Sequence, residues 1–136
     1  DPTMQSPFKK YRDILLGADY GVAISLQQFV LSLYNSASTK FEADRLGSYD
    51  PKHLGIFFEL ASSYNQHGEN DPEFMQLCRD MWDMRKQWGR KHLERVKEHK
   101  KINPKAYDEG ERAWHEEMRW LDERTEAYQA KGWIER

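Results

Sequence analysis

Cysteine is almost missing from this chain, with Cys78 the one thiol in 136 residues. A lone cysteine excludes an internal disulfide framework and any zinc site built on cysteine pairs, and it fits a reducing compartment such as the cytoplasm. Long apolar runs are missing as well. No stretch approaches the roughly 18 apolar residues of a membrane-spanning helix, and no basic-then-apolar leader opens the chain. β-Branched residues thin out after residue 40, and no segment alternates polar and apolar over strand length, which argues against sheet. The net charge is only −2, so the molecule as a whole has no strong pull toward nucleic acid or anionic lipid. There is no glycine-rich phosphate loop and no dinucleotide fingerprint, so no cofactor is expected.

What is present is aromatic and charged. Hydrophobic residues make up 38% of the chain and charged residues 32%, with 5 Trp, 7 Tyr and 6 Phe. Each aromatic ring buries a large apolar area, so a few can anchor a core that is short of aliphatics. A chain of this length fits one domain. Asp1-Pro2-Thr3 reads as a vector remnant ahead of a natural start at Met4, which gives a domain over 4–136.

Proline marks the helix starts. Ser6-Pro7, Asp50-Pro51, Asp71-Pro72 and Asn103-Pro104 each place a good N-cap residue before a proline at the first helical position. Apolar spacing agrees with these starts. Phe8, Tyr11 and Leu15 fit a first helix ending near Gly17. Val22, Leu26, Phe29, Val30, Leu33 and Tyr34 fit a second, from about Tyr20. Residues 36–49 read as a structured loop. Leu54, Phe57, Phe58, Ala61 and Tyr64 form the inward face of a third helix, from Pro51 to about Gln66.

From Pro72 the character changes. Residues 1–70 hold 6 basic and 8 acidic side chains, whereas 71–136 hold 15 of each, as expected of helices with two solvated sides. One helix is expected to about Lys101, interrupted at Gly89, with Phe74, Leu77, Cys78, Met81 and Trp82 inward and a thinner stripe of Trp88, Leu93 and Val96. After Asn103-Pro104, a last helix carries a heptad seam of Tyr107, Trp114, Met118, Leu121, Thr125 and Tyr128, widened by Ala106, Ala113, Trp120 and Ala127. Lys131-Gly132-Trp133 is a helix stop with an apolar residue to pack back. Residues 79–101 hold 9 basic against 4 acidic side chains, and 103–136 hold 6 against 9. That opposition favours antiparallel docking of the two arms, though each exposed pair contributes only about 0–1 kcal/mol.

Few constellations carry chemistry. His92 and His99 share a face about 10 Å apart along the axis, too far for one metal without a third ligand. Glu111 and His115 are i,i+4, and two ligands make a poor site, so no metal is expected. Cys78 has apolar neighbours on its face, where burial raises a thiol pKa and makes it inert. No catalytic residues are assigned, and the chain reads as a non-enzyme. Lys86, Arg90, Lys97 and Lys101 share a helix face that could track phosphates. Interleaved acids, such as Glu94 near Lys97 and Glu98 near Lys101, are placed to neutralise it. Trp114, Trp120 and Trp133 lie in an arm with little depth to bury them, which makes them candidates for a partner interface.

Asp13-Ile14-Leu15-Leu16, the run Phe29 to Asn35, Leu60-Ala61, and then Phe74, Leu77 and Trp82 resemble a family of small helical bacterial proteins encoded on plasmids and integrative elements. The resemblance covers residues 13–82, about half the chain. It implies a bacterial, phage or mobile-element setting and carries no catalytic residues over.

The expected architecture is all-α: a compact core of about three to four helices over 7–82, extended by a long antiparallel helical hairpin over 83–136. The expected function is a cytoplasmic, non-enzymatic protein-interaction module that binds a protein partner or forms a homodimer, without membrane contact. The alternative is a nucleic-acid-associated protein using the basic face at 85–101.

Overall fold

Every regular element in the computed structural model, which describes residues 5–135, is helical. The vector remnant inferred at residues 1–3 and the start at Met4 lie outside the described residues. Six α-helices follow in order: α1 (Pro7–Lys10), α2 (Arg12–Gly17), α3 (Gly21–Tyr34), α4 (Pro51–His67), α5 (Pro72–Lys100) and α6 (Glu111–Ala130). Short 3₁₀ turns occupy Ala43–Ser48, Gly68–Asn70 and Pro104–Ala106. Among the described residues no helix is long and apolar enough to cross a membrane. The chain divides after Trp82 into two compact units, with α5 contributing to both.

The prolines mark starts as read, but not all in one way. The Ser6 hydroxyl accepts the Phe8 N–H and Asp71 accepts the Glu73 N–H, so α1 and α5 have side-chain caps. At Asp50 the helix begins without a side-chain cap bond. Asn103 caps the Lys105 N–H, yet only one 3₁₀ turn forms, and α6 begins later, after Gly110 at φ 101°. The helix expected from Pro104 is therefore two elements: the 3₁₀ turn ends where Tyr107 becomes extended, and α6 starts after Gly110, at a positive φ that glycine adopts without strain.

In the first unit the core is built from Phe8, Leu15, Leu26, Val30, Leu31, Ile56, Leu60, Phe74, Leu77, Cys78 and Met81, all essentially inaccessible. Phe8 meets Phe74 edge-on at 4.8 Å, and Tyr64 meets the same ring at 5.2 Å. Phe41 gives the 36–49 loop its anchor by packing on Phe29 and Phe57. Buried Gln27 donates to the carbonyls of Ile14 and Ala18, both at 2.9 Å. These carbonyls lie at the end of α2, where the helix leaves acceptors unpaired.

One inward assignment fails. Phe58 is 60% exposed, and α4 instead buries Ile56 and Leu60, with Phe57 and Tyr64 beside them. Successive helical residues point about 100° apart, so Phe57 and Phe58 cannot both face one core.

Candidate functional site

Residues 83–135 form the second unit, and its seam differs from the expected one on the α5 side. The buried positions there are Arg85, Gly89, His92, Val96 and His99, spaced 4, 3, 4 and 3. That is a heptad, but one filled mostly by polar or small residues. Leu93, expected in the stripe, is 42% exposed, and Trp88 is half-buried. Apolar periodicity does not mark this seam, because Val96 is its one aliphatic member. The α6 side follows the sequence reading: Leu121 and Tyr128 are buried, and Trp114, Met118 and Thr125 are half-buried.

Both histidines lie in the seam and are engaged there through Nε2. His99 Nε2–H donates to the Trp114 carbonyl at 3.0 Å, and the Trp114 indole N–H donates back to the His99 carbonyl at 3.2 Å. Their rings stack at 4.8 Å and 20°. His92 Nε2 sits 2.9 Å from Thr125 Oγ1 and 3.2 Å from the Leu121 carbonyl, which also accepts the Thr125 hydroxyl. A carbonyl only accepts, so both imidazoles carry the proton on Nε2. Burial lowers the His92 pKa, aided by the nearby charges of Arg124 and Arg95 and opposed by the Leu121 hydrogen bond. The pairings 99 with 114, 92 with 121 and 89 with 133 run in opposite directions, so these segments of the unit are antiparallel.

Gly89 does not interrupt α5. A Cβ there would lie 2.3 Å from the Trp133 carbonyl oxygen and 2.9 Å from Ile134 Cγ1, so the missing side chain makes room for the C-terminal turn. That turn is a Schellman motif: Trp133 N–H reaches the Tyr128 carbonyl, Gly132 N–H reaches that of Gln129, and Gly132 has φ 80°. It seats Trp133 against Trp88 at 5.8 Å and Tyr128 at 4.9 Å. Arg85, 4% exposed, lies over the rings of Trp88 and Trp133. Burial brings its pKa down to about 10, so it stays charged at neutral pH.

The three tryptophans singled out as an interface therefore separate. Trp114 and Trp133 are half-buried and engaged within the unit. Trp120 is 41% exposed. The Arg95 guanidinium lies 4.9 Å and that of Arg124 5.2 Å from its ring. Arg95 is held by Glu117 at 2.7 Å, and Arg124 donates to the Tyr128 hydroxyl at 3.2 Å. An exposed indole thus sits between two positioned cations, with exposed Ala127 and half-buried Ala113 a heptad away on either side. No protein-family model, curated protein or solved structure matches the chain.

The basic face is less neutralised than its spacing suggests. Lys86, Arg90, Lys97 and Lys101 are all exposed, and among the described residues only Lys101 forms an ion pair, with Glu98 at 3.0 Å. Glu94 does not reach Lys97, and between α5 and α6 Arg95 pairs with Glu117. Arg85 belongs to the seam, not to this face. Glu111 and His115 approach to 4.0 Å, both exposed, and no group of three metal-ligating side chains occurs among the described residues. Burial pushes the Cys78 thiol up to about 12, which leaves it protonated and unreactive at neutral pH.

Proposed function

We propose that the chain is a non-enzymatic, cytoplasmic interaction module of bacterial, phage or mobile-element origin, which binds a protein partner or a second copy of itself through its 83–136 arm. The single observation behind this reading is the contrast among the tryptophans. Trp114 and Trp133 are consumed by internal packing, while Trp120 presents its ring to solvent between Arg95 and Arg124. Tryptophan and arginine are the residue types that most often dominate binding energy, and a central one commonly carries about 2 kcal/mol or more. The flanking guanidinium groups suit a carboxylate-bearing partner surface. The test is Trp120→Glu, followed by sedimentation velocity and by capture from host lysate on immobilised wild type and variant. The reading requires that self-association or specific capture be lost while the melting curve is kept. Unchanged association, or none with either protein, would remove it.

A second reading rests on the exposed Lys86, Arg90 and Lys97, which carry no ion pair among the described residues. Such a stripe is the electrostatic footprint of a phosphate backbone. Binding would fall steeply with salt and vanish when Lys86, Arg90, Lys97 and Lys101 become Glu. A gel shift near physiological salt with duplex DNA and RNA decides it, and the protein-interaction reading expects no shift.

A further inference from the structure

In the first unit, three polar side chains form a hydrogen-bonded chain that the arm does not involve. Asp50 Oδ1 lies 2.6 Å from His53 Nδ1, and His53 Nε2 lies 3.0 Å from the Tyr20 hydroxyl. A carboxylate only accepts, so in the neutral imidazole Nδ1 carries the proton and Nε2 presents its lone pair to the Tyr20 O–H. The order carboxylate, imidazole, hydroxyl is that of an activated nucleophile: the base sits within hydrogen-bond reach and is itself oriented by a third group.

Two features set this chain apart from an ordinary helix cap. Asp50 stands at the N-cap of α4, yet its side chain makes no capping hydrogen bond and holds the imidazole instead. Tyr20 stands at the N-cap of α3, also without a side-chain cap bond, and its ring is 44% exposed. Desolvation raises the Asp50 pKa, but the His53 hydrogen bond, nearby backbone N–H groups and the His53 charge outweigh it and hold the carboxyl below its ordinary value. The group that orients the base therefore stays anionic at neutral pH. Ile24, one turn beyond Tyr20 on α3, is 41% exposed and offers an apolar rest for a short acyl chain.

We infer that Tyr20 is a nucleophile activated by His53 and Asp50, which takes one acyl group per chain from an activated ester or thioester, a self-modification without turnover that leaves the non-enzymatic reading of the arm untouched. In the step, Tyr20 Oη attacks the acyl carbon as His53 Nε2 takes its proton, forming a C–O bond. The tetrahedral adduct then collapses. The C–O or C–S bond to the leaving group breaks, and the leaving alcohol or thiol departs with the electron pair and the proton from Nε2. The product is an acyl-tyrosine, with Asp50 ionised throughout.

The test uses the full chain with p-nitrophenyl acetate as acyl donor, release of p-nitrophenolate as the rate, and peptide mass spectrometry to locate the acetyl group. Wild type should acetylate Tyr20 at least about tenfold faster than N-acetyltyrosinamide, since positioned general bases contribute about 10²–10⁴. His53→Gln and Asp50→Asn should each lose most of that advantage while keeping the wild-type circular dichroism, and Tyr20→Phe should remove the label. If a variant fails to fold, site selectivity in the wild type decides alone. Tyr20 acetylated no faster than the free amide, or a rate unmoved in a folded His53→Gln protein, would make the trio a structural tie between α3 and α4.

Discussion

Replacing Gly89 with alanine separates two forces of opposite sign. In a helix interior, glycine costs about 1 kcal/mol relative to alanine, so Gly89→Ala ought to stabilise a 29-residue helix such as α5. The added Cβ, however, would stand 2.3 Å from a backbone oxygen, that of Trp133, and 2.9 Å from Ile134 Cγ1. A backbone atom cannot swing aside like the tip of a long side chain, so the C-terminal turn must lift. Lifting it exposes Ile134, now 7% accessible, and loosens Trp133 from Trp88 and Tyr128. Uncovering one buried aliphatic side chain costs about 1.5–3 kcal/mol, and the ring contacts add about 0.5–1.5 kcal/mol. Set against the helix gain, a net loss of about 1–3 kcal/mol is expected. Urea titration followed by near-UV circular dichroism and tryptophan fluorescence measures it. A second protein, ending at Gly132, supplies the control: with the obstructing turn gone, the same substitution should stabilise by up to about 1 kcal/mol. A Gly89→Ala protein more stable than the parent in the full chain would refute the close approach.

Two further outcomes follow from the buried titratable groups. The depressed His92 pKa means that the unfolded chain binds a proton at this site more readily than the folded one. Its contribution to stability is therefore present above the ordinary histidine value of about 6.5 and lost as pH falls through the lower folded value. Melting of the wild type should weaken on acidification below neutrality, and His92→Gln should flatten that slope; an unchanged slope would remove His92 as the cause. Cys78, with its thiol raised to about 12, should resist a water-soluble maleimide in the native state and react once unfolded. Rapid native labelling would contradict its burial.

The all-α class was legible because proline after a capping residue and apolar spacing each speak through local chemistry. Ser6 and Asp71 cap as their sequence context implies, and Lys131-Gly132-Trp133 closes α6 through a hydrogen-bond pattern that needs glycine at one position. What was illegible depends on neighbours distant in sequence. The α5 seam is written in Arg85, Gly89, His92 and His99, residues that join a core only because α6 supplies carbonyls and rings and the turn after it a close backbone. Phe58 has the composition of a core residue and lacks only the rotation. The break before α6 runs from Tyr107, where the backbone turns extended, to Gly110, whose positive φ precedes the helix. Among the interface candidates, composition could not rank Trp120 over Trp114, because the His99 backbone carbonyl that engages Trp114 lies 15 residues away. The Tyr20–His53–Asp50 chain was hidden for the same reason, since 33 residues separate its tyrosine from its imidazole.

If Trp120 serves recognition and not the fold, as proposed, unfolding of Trp120→Ala beside Trp114→Ala in urea will separate the two tryptophans. Truncating a well-packed tryptophan costs about 3–5 kcal/mol, whereas an exposed cation–π contact contributes only about 0.5–1 kcal/mol. Trp114→Ala should therefore be the less stable variant by at least about 1 kcal/mol, with Trp120→Ala unfolding close to wild type. Equal or greater loss from Trp120→Ala would show that its ring holds the arm together and belongs to the fold.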